Sequence, residues 1–180
     1  HEDTTRPNCH ALFVDTRKAF DSIHHNYLIQ ALKRIGLPHW VILMAKSMLH
    51  EVAVTPIFGT YTGVWISIKR GVKQGCPASP IFFAIVMDPL LSRLSAIPGV
   101  QVFAYVDDIA ILVMNYSTFA KCMSTIDKFT AFSGLGINRD KTRIISAQQP
   151  NVCMEWLSHT SCPWRGIGVM SIRMSILVSL

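Results

Sequence analysis

A chain of 180 residues has room for one domain or two, and 50% of it is apolar while only 16% is charged. That composition excludes an intrinsically disordered segment, which would be poor in apolar residues and rich in charge. Lys and Arg (17) outnumber Asp and Glu (11), and the resulting net charge of +6 favours a polyanionic partner such as nucleic acid. Apolar residues never run on for the roughly 18 positions a membrane span needs, and no charged segment followed by an apolar one marks a secretory signal. The odd cysteine count and the lack of any Cys-x-x-Cys pair argue against a disulfide framework and for reduced thiols. An opening at His1 and an apolar close at Ser179-Leu180 suggest a piece of a longer protein.

In chain order, Ala11-Leu12-Phe13-Val14 is a short apolar run ending at Asp15 and predicts a buried strand. From Lys18 the period becomes helical through Phe20, Ile23, Tyr27, Leu28, Ala31, Leu32 and Ile35, and Gly36 with Pro38 closes the helix. A second helix starting near Pro38 is expected to bury Trp40, Leu43, Met44 and Met48. Val52–Ile57 and Tyr61–Ile68 read as a hairpin around Phe58-Gly59-Thr60. A polar loop from Lys69 to Pro77 leads to Ser79-Pro80, an N-cap followed by proline at the first helical position, and a helix to about Leu94. Two β runs, Val100–Val106 and Ile109–Met114, are separated only by Asp107-Asp108. A helix over Ser117–Ser133 and a last strand over Thr142–Ala147 follow, and beyond Gln148 the pattern fades. The order predicts an α+β fold, an antiparallel sheet with helices packed on one face.

The informative oddity is Asp107-Asp108, two adjacent carboxylates flanked by some of the most apolar sequence in the chain. Taken alone, such a pair is most often a solvated hairpin tip. Asp15, at the end of another apolar strand, changes the reading. If the two strands are neighbours, three carboxylates converge as hard-cation ligands of the kind Mg²⁺ accepts. His24 and His25 read as solvent-facing helix residues.

Four strings in order carry a resemblance. Phe13-Val14-Asp15-Thr16-Arg17-Lys18-Ala19-Phe20-Asp21-Ser22 resembles the first catalytic motif of reverse transcriptases, and Arg70-Gly71-Val72-Lys73-Gln74-Gly75-Cys76-Pro77-Ala78-Ser79-Pro80 resembles their Gly-Val-x-Gln-Gly motif. Tyr105-Val106-Asp107-Asp108 looks like the Tyr-x-Asp-Asp box, and Gly134-Leu135-Gly136-Ile137-Asn138 with Lys141-Thr142 is similar to the motif after it. The wording looks most like the non-LTR (LINE-like) retrotransposon branch.

The resemblance implies the palm of an RNA-directed DNA polymerase, with part of the fingers, over residues 1–148, and a degenerate or truncated segment over 149–180. It implies that Asp15, Asp107 and Asp108 hold two Mg²⁺ ions for addition of deoxynucleotides to a DNA primer on an RNA template. Phe20 takes the place of the aromatic that excludes a ribose 2′-hydroxyl. Lys18 and Ala19 offer amides to the triphosphate, and Gln74, Gly75 and Lys141 complete the nucleotide site. Lys69, Arg70, Lys73 and Tyr105 are assigned to template or primer contact. Nuclear access of the full protein is implied by the same resemblance. Two alternatives stand beside it: a catalytically silent nucleic-acid-binding remnant, and a metal-dependent phosphohydrolase using the same carboxylates.

Overall fold

The computed structural model describes residues 9–50, 53–73, 75–147, 150–159, 164 and 167–171. By contact density the chain divides into two compact units, one of His1–Thr16, Leu90–Lys128 and Ile137–Leu180, the other of Arg17–Pro89 and Phe129–Gly136.

The first unit is built on a five-stranded sheet. Its strands are β1 (His10–Val14), β7 (Val100–Tyr105), β8 (Asp108–Val113), β10 (Arg143–Ser146) and β11 (Gly168–Ser171), in the order β11-β10-β1-β8-β7. All neighbours are antiparallel except β10 and β11. Strand alternation sorts the side chains cleanly. Leu12, Val14, Ile109, Ile111, Val113 and Ile144 are buried on one face, while Phe13, Phe103 and Met170 stand out on the other. The buried face meets helix α5 (Tyr116–Ser133), for the His10 ring lies 4.5 Å from that of Tyr116 and 6.1 Å from that of Phe119. Phe119, Met123, Ile126 and Phe129 recur at helical spacing and are all buried, as the sequence predicts, and Cys122 is buried as well.

Beyond Gln148, where the sequence pattern fades, the described residues form α6 (Pro150–His159) and β11, which extends the sheet beside β10. Trp164 between them is buried, and its indole N–H donates to both Asp127 carboxylate oxygens at 2.9 and 3.0 Å. A four-residue strand against an existing edge leaves little periodic signature, which is why the sequence alone does not reveal it.

After β2 (Thr16–Arg17), at the boundary between the units, the second unit carries the single-turn helix α1 (Ala19–Ser22), α2 (His25–Arg34) and α3 (His39–Leu49). The one helix expected from Lys18 to Ile35 is thus broken at Ile23-His24. Tertiary hydrogen bonds outcompete the helical ones there: the His24 amide donates to the Ser133 carbonyl at 2.8 Å, and His24 pairs with Arg70 in an isolated β-bridge. Helix α3 also departs from expectation. It buries Ile42 and Ala45, whereas Trp40, Leu43 and Met44 are exposed and Met48 is half-buried. The small Ala45 side chain, fully buried, lets α3 pack closely on α2, and bulk alone pointed to the opposite face.

The hairpin forms as predicted, with β3 (Ala53–Val54) pairing β6 (Ile66–Ser67) and β4 (Ile57–Phe58) pairing β5 (Tyr61–Thr62) around a positive-φ Gly59. The remaining elements are α4 (Ser79–Ser95), with Pro89 inside it, and β9 (Gly136–Ile137). No helix of the described residues is long and apolar enough to cross a membrane.

His10 is a buried histidine with no hydrogen-bond partner on either ring nitrogen among the described residues. Burial pushes its imidazole below the ordinary 6.5, because the charged form loses solvation. The unfolded chain therefore takes up this proton at higher pH than the folded one does. The contribution is complete above about pH 6.5 and is lost as pH falls toward the folded value. The denaturation midpoint is expected to drop between about pH 7 and about pH 5, and His10→Leu, which cannot titrate, to flatten that slope in urea titrations.

Candidate active site

Strand β1 runs antiparallel to β8 with Val14 opposite Ile109, and continuing that register by one residue brings Asp15 level with Asp108. Asp108 in turn pairs with Tyr105 across the β7–β8 hairpin. The row Asp15, Asp108, Tyr105 thus crosses three strands at one end of the sheet, where Cα atoms of directly paired residues lie about 4.5–5.5 Å apart. All three belong to the face opposite Val14 and Ile109. Asp15 and Asp107 are half-buried, whereas Asp108 and Tyr105 are exposed.

The hairpin turn differs by one residue from the sequence expectation. Its two loop residues are Val106 and Asp107, and Asp108 is already in the ladder. Val106 adopts φ 55°, a left-handed conformation that a β-branched side chain enters at a cost of order 1–3 kcal/mol. A two-residue hairpin demands positive φ at its first loop position, and the sequence supplies valine where asparagine or glycine would be relaxed. The strained turn fixes where the Asp107 carboxylate is presented.

Asp15 is held by its own main chain. Its carbonyl accepts the Asn138 amide at 2.8 Å, and its amide donates to the Thr142 hydroxyl at 3.3 Å. Thr142 is fully buried, and its hydroxyl donates to the Asn138 carbonyl at 2.8 Å. Lys141, exposed, sits in this same turn with its amide directed at the Asn138 carbonyl. Sequence reasoning places Lys141 here but misses Asn138 and Thr142, whose only signal is their place inside a recognisable string.

The other predicted site residues lie in the second unit. Lys18 has φ 44° and is exposed, Ala19 is buried, and α1 spans a single turn, so these amides would act as individual donors without a helix dipole behind them. Phe20 is half-buried and stacks on Phe83 with ring centroids 4.8 Å apart. Gly75, at φ 83°, is exposed with open space where a side chain would stand, so a ligand can approach its backbone. Gln74 lies outside the described residues.

The loop before Gly75 is pinned from two sides. The Gly71 and Val72 amides donate to the Ile23 and Phe20 carbonyls, both at 2.7 Å. Ser79 does not cap its helix through its side chain as expected. Its buried hydroxyl donates to the Lys73 carbonyl at 2.6 Å, drawing the loop onto the start of α4. His24 and His25, expected to face solvent, are half-buried, and the His25 Nε2 lies 2.8 Å from the Gly71 carbonyl. Lys69 and Arg70 line an open cavity of about 600 Å³ together with His24, His25 and His50, and no carboxylate among the described residues lines it. Lys73 lines a neighbouring cavity of about 500 Å³ that Arg70 shares.

Among the described residues, no three His, Cys, Asp or Glu side chains close round one point to form an all-protein metal cage. The donor set nevertheless suits Mg²⁺, a hard ion that retains waters and takes one or two carboxylates plus substrate phosphates. Asp15, Asp107 and Asp108 offer only such oxygens, on a strand end, a hairpin turn and the start of the next strand.

Comparison with known proteins decides the family. Residues 1–168 match the reverse transcriptase (RNA-dependent DNA polymerase) family. The chain belongs to that family. It is 31% identical over 160 residues to a Pol polyprotein of the type-1 retrotransposable element R2 of Popillia japonica, covering 83% of this chain and 22% of that protein. It is 30% identical over 142 residues to the R2DM Pol polyprotein of Drosophila melanogaster, covering 74% of this chain and 13% of the relative. These relatives place the reverse transcriptase chain on the non-LTR retrotransposon side. The chain spans about a fifth or less of the length of either. In fold it is similar to telomerase from Candida tropicalis bound to a fragment of telomeric RNA, with TM-score 0.66 at 18% identity over 82% of this chain and 27% of that one. Telomerase from Candida albicans gives TM-score 0.67 at 15% identity, over 80% of this chain and 28% of the other. The mixed α+β palm expected from sequence is the fold observed.

A Cβ at Gly71 would stand 2.7 Å from Asp21 backbone atoms, in a φ 85° conformation that itself resists side chains. Gly71→Ala is expected to lower unfolding free energy by about 2 kcal/mol or more in chemical denaturation.

Proposed function

We propose that this chain is the palm, with part of the fingers, of a polymerase that adds deoxynucleotides to a DNA primer end on an RNA template and releases pyrophosphate. The observation that carries this reading is the β1–β8 register, which puts Asp15 beside the Asp107-Asp108 hairpin on the open face of the sheet. Phosphoryl transfer needs positioning and charge neutralisation, with no protein nucleophile, and carboxylates on neighbouring strands and their hairpin turn suit that need. Asp15, Asp107 and Asp108 would hold two Mg²⁺ ions. When bound, the ions supply acidification of the primer hydroxyl and neutralisation of the triphosphate.

The chain's own groups do the rest. Phe20, braced by Phe83, presents a ring that gives a ribose 2′-hydroxyl no hydrogen-bond partner and occupies its space. Gly75 lets the nucleotide approach the backbone, Gln74 is read beside it from its motif, and Lys141 is a proton source for the departing pyrophosphate. Lys18 and Ala19 offer amides to the phosphates. Lys69, Arg70 and Lys73 face the cavities described above and suit template phosphates, while Tyr105 and Phe103 give the open sheet face an apolar surface for the primer terminus. Because the full protein would copy RNA into genomic DNA, its action in the nucleus belongs to the same proposal.

Primer extension on an RNA template, by the chain joined to flanking fingers and thumb sequence, tests the reading. Asp107→Asn is expected to reduce extension by about a thousandfold or more while leaving RNA binding intact. Equal extension by the variant would remove the metal role. RNA binding with no extension by either protein would favour a silent remnant, and release of inorganic phosphate would favour a phosphohydrolase.

Two finer outcomes follow from the same proposal. Phe20→Ala should raise ribonucleotide incorporation relative to deoxynucleotide by roughly 10–100-fold, read from competing single-nucleotide additions. Replacing Lys69, Arg70 and Lys73 together by Ala should flatten the slope of log affinity for single-stranded RNA against log salt by up to about 2.

A further inference from the structure

We propose that Thr142, with Asn138, is a positioning residue for Asp15: its hydroxyl ties the backbone of the metal-binding aspartate to the turn that carries Lys141. The inference rests on the polymerase reading above and names residues that reading does not use.

Asp15 lies just past the last paired residue of β1, where the ladder no longer fixes its main chain. Its neighbours Val14 and Thr16 are both buried, while Asp15 itself is only half-buried. The main chain there is part-buried, and its donors and acceptors find protein partners. The partners come from residues 138–142. Asn138 donates its amide to the Asp15 carbonyl at 2.8 Å, and the Thr142 hydroxyl accepts the Asp15 amide at 3.3 Å.

The same hydroxyl donates to the Asn138 carbonyl at 2.8 Å, and the Thr142 amide donates there too at 2.9 Å. One oxygen thus receives a proton from one side of Asp15's clamp and gives one to the other, closing a ring of hydrogen bonds through residues 15, 138 and 142. Being fully buried, Thr142 has no water to replace that bond.

Arg143 tightens the turn from outside, donating to the Thr142 carbonyl at 2.9 Å and to that of Asp140. Because Lys141 belongs to the same turn, the clamp also sets the position of the proposed proton donor relative to the carboxylate. Valine has nearly the shape of threonine and lacks only the hydroxyl, whereas serine keeps the hydroxyl. The pair therefore separates hydrogen bonding from packing.

The test uses the 180-residue chain with two readouts, amide hydrogen exchange at Asp15 and Mn²⁺ binding followed by electron paramagnetic resonance. Thr142→Val should speed exchange at Asp15 by about tenfold and weaken Mn²⁺ binding by about tenfold, with Ile111 in the sheet core unaffected. Thr142→Ser should restore both. Unchanged exchange at Asp15, or an equal rise at Ile111, overturns the specific clamp. Faster exchange with unchanged Mn²⁺ affinity, while Asp107→Asn abolishes binding, overturns its positioning role. If Asp107→Asn leaves Mn²⁺ binding intact, the metal site itself is refuted, and the clamp is judged on Asp15 exchange alone.

Discussion

The structure depends on the antiparallel pairing of β1 with β8. Val14 opposite Ile109 and Leu12 opposite Ile111 bury four apolar side chains on one face. Because side chains alternate strictly, that burial dictates that Asp15 and Asp108 emerge together on the other face. A slip of one residue would turn the carboxylates into the core, where uncompensated charge is prohibitive. Hydrophobic burial thus enforces the geometry of the acidic site, without the carboxylates contributing any attraction of their own.

The chain holds conformational strain at two places inside its recognisable motifs. Val106 at φ 55° and Lys18 at φ 44° are the non-glycine residues with positive φ among those described, one in the hairpin that presents Asp107 and the other at the entrance to α1. Neither conformation is favoured by its residue type, and each is held by what surrounds it: the β7–β8 ladder for Val106, and for the α1 region the hydrogen bonds from Gly71 and Val72. The loop of the second motif is fastened in the same spirit. Gly71 sits against the Asp21 backbone, Ser79 bonds Lys73, and His25 meets the Gly71 carbonyl, leaving Gly75 exposed on an otherwise secured segment.

Several surfaces keep large apolar groups in view. Trp40, Leu43 and Met44 line one side of α3, and Ile57, Phe58, Tyr61, Val64 and Trp65 project from the hairpin. Relatives several times the length of this chain share its sequence over most of its extent. Within this chain the exposed α3 stripe explains why helical periodicity chose the wrong inner face: a pattern of bulky residues reports apolar surface and does not say which neighbour will cover it.

By itself the sequence determined four strands of the main sheet, the main helices, the hairpin and the family, because local periodicity and four ordered motifs are properties of nearby residues. It also singled out Asp15, Asp107 and Asp108 from their apolar settings. Only the tertiary structure decided that α1 and α2 are separate, that Val106 rather than Asp108 occupies the turn, that Ser79 bonds a loop carbonyl, and that Asn138 and Thr142 grip Asp15. Each of these depends on a hydrogen bond or a register between residues remote in the chain, and the free energy of such a contact is written in neither partner's local sequence.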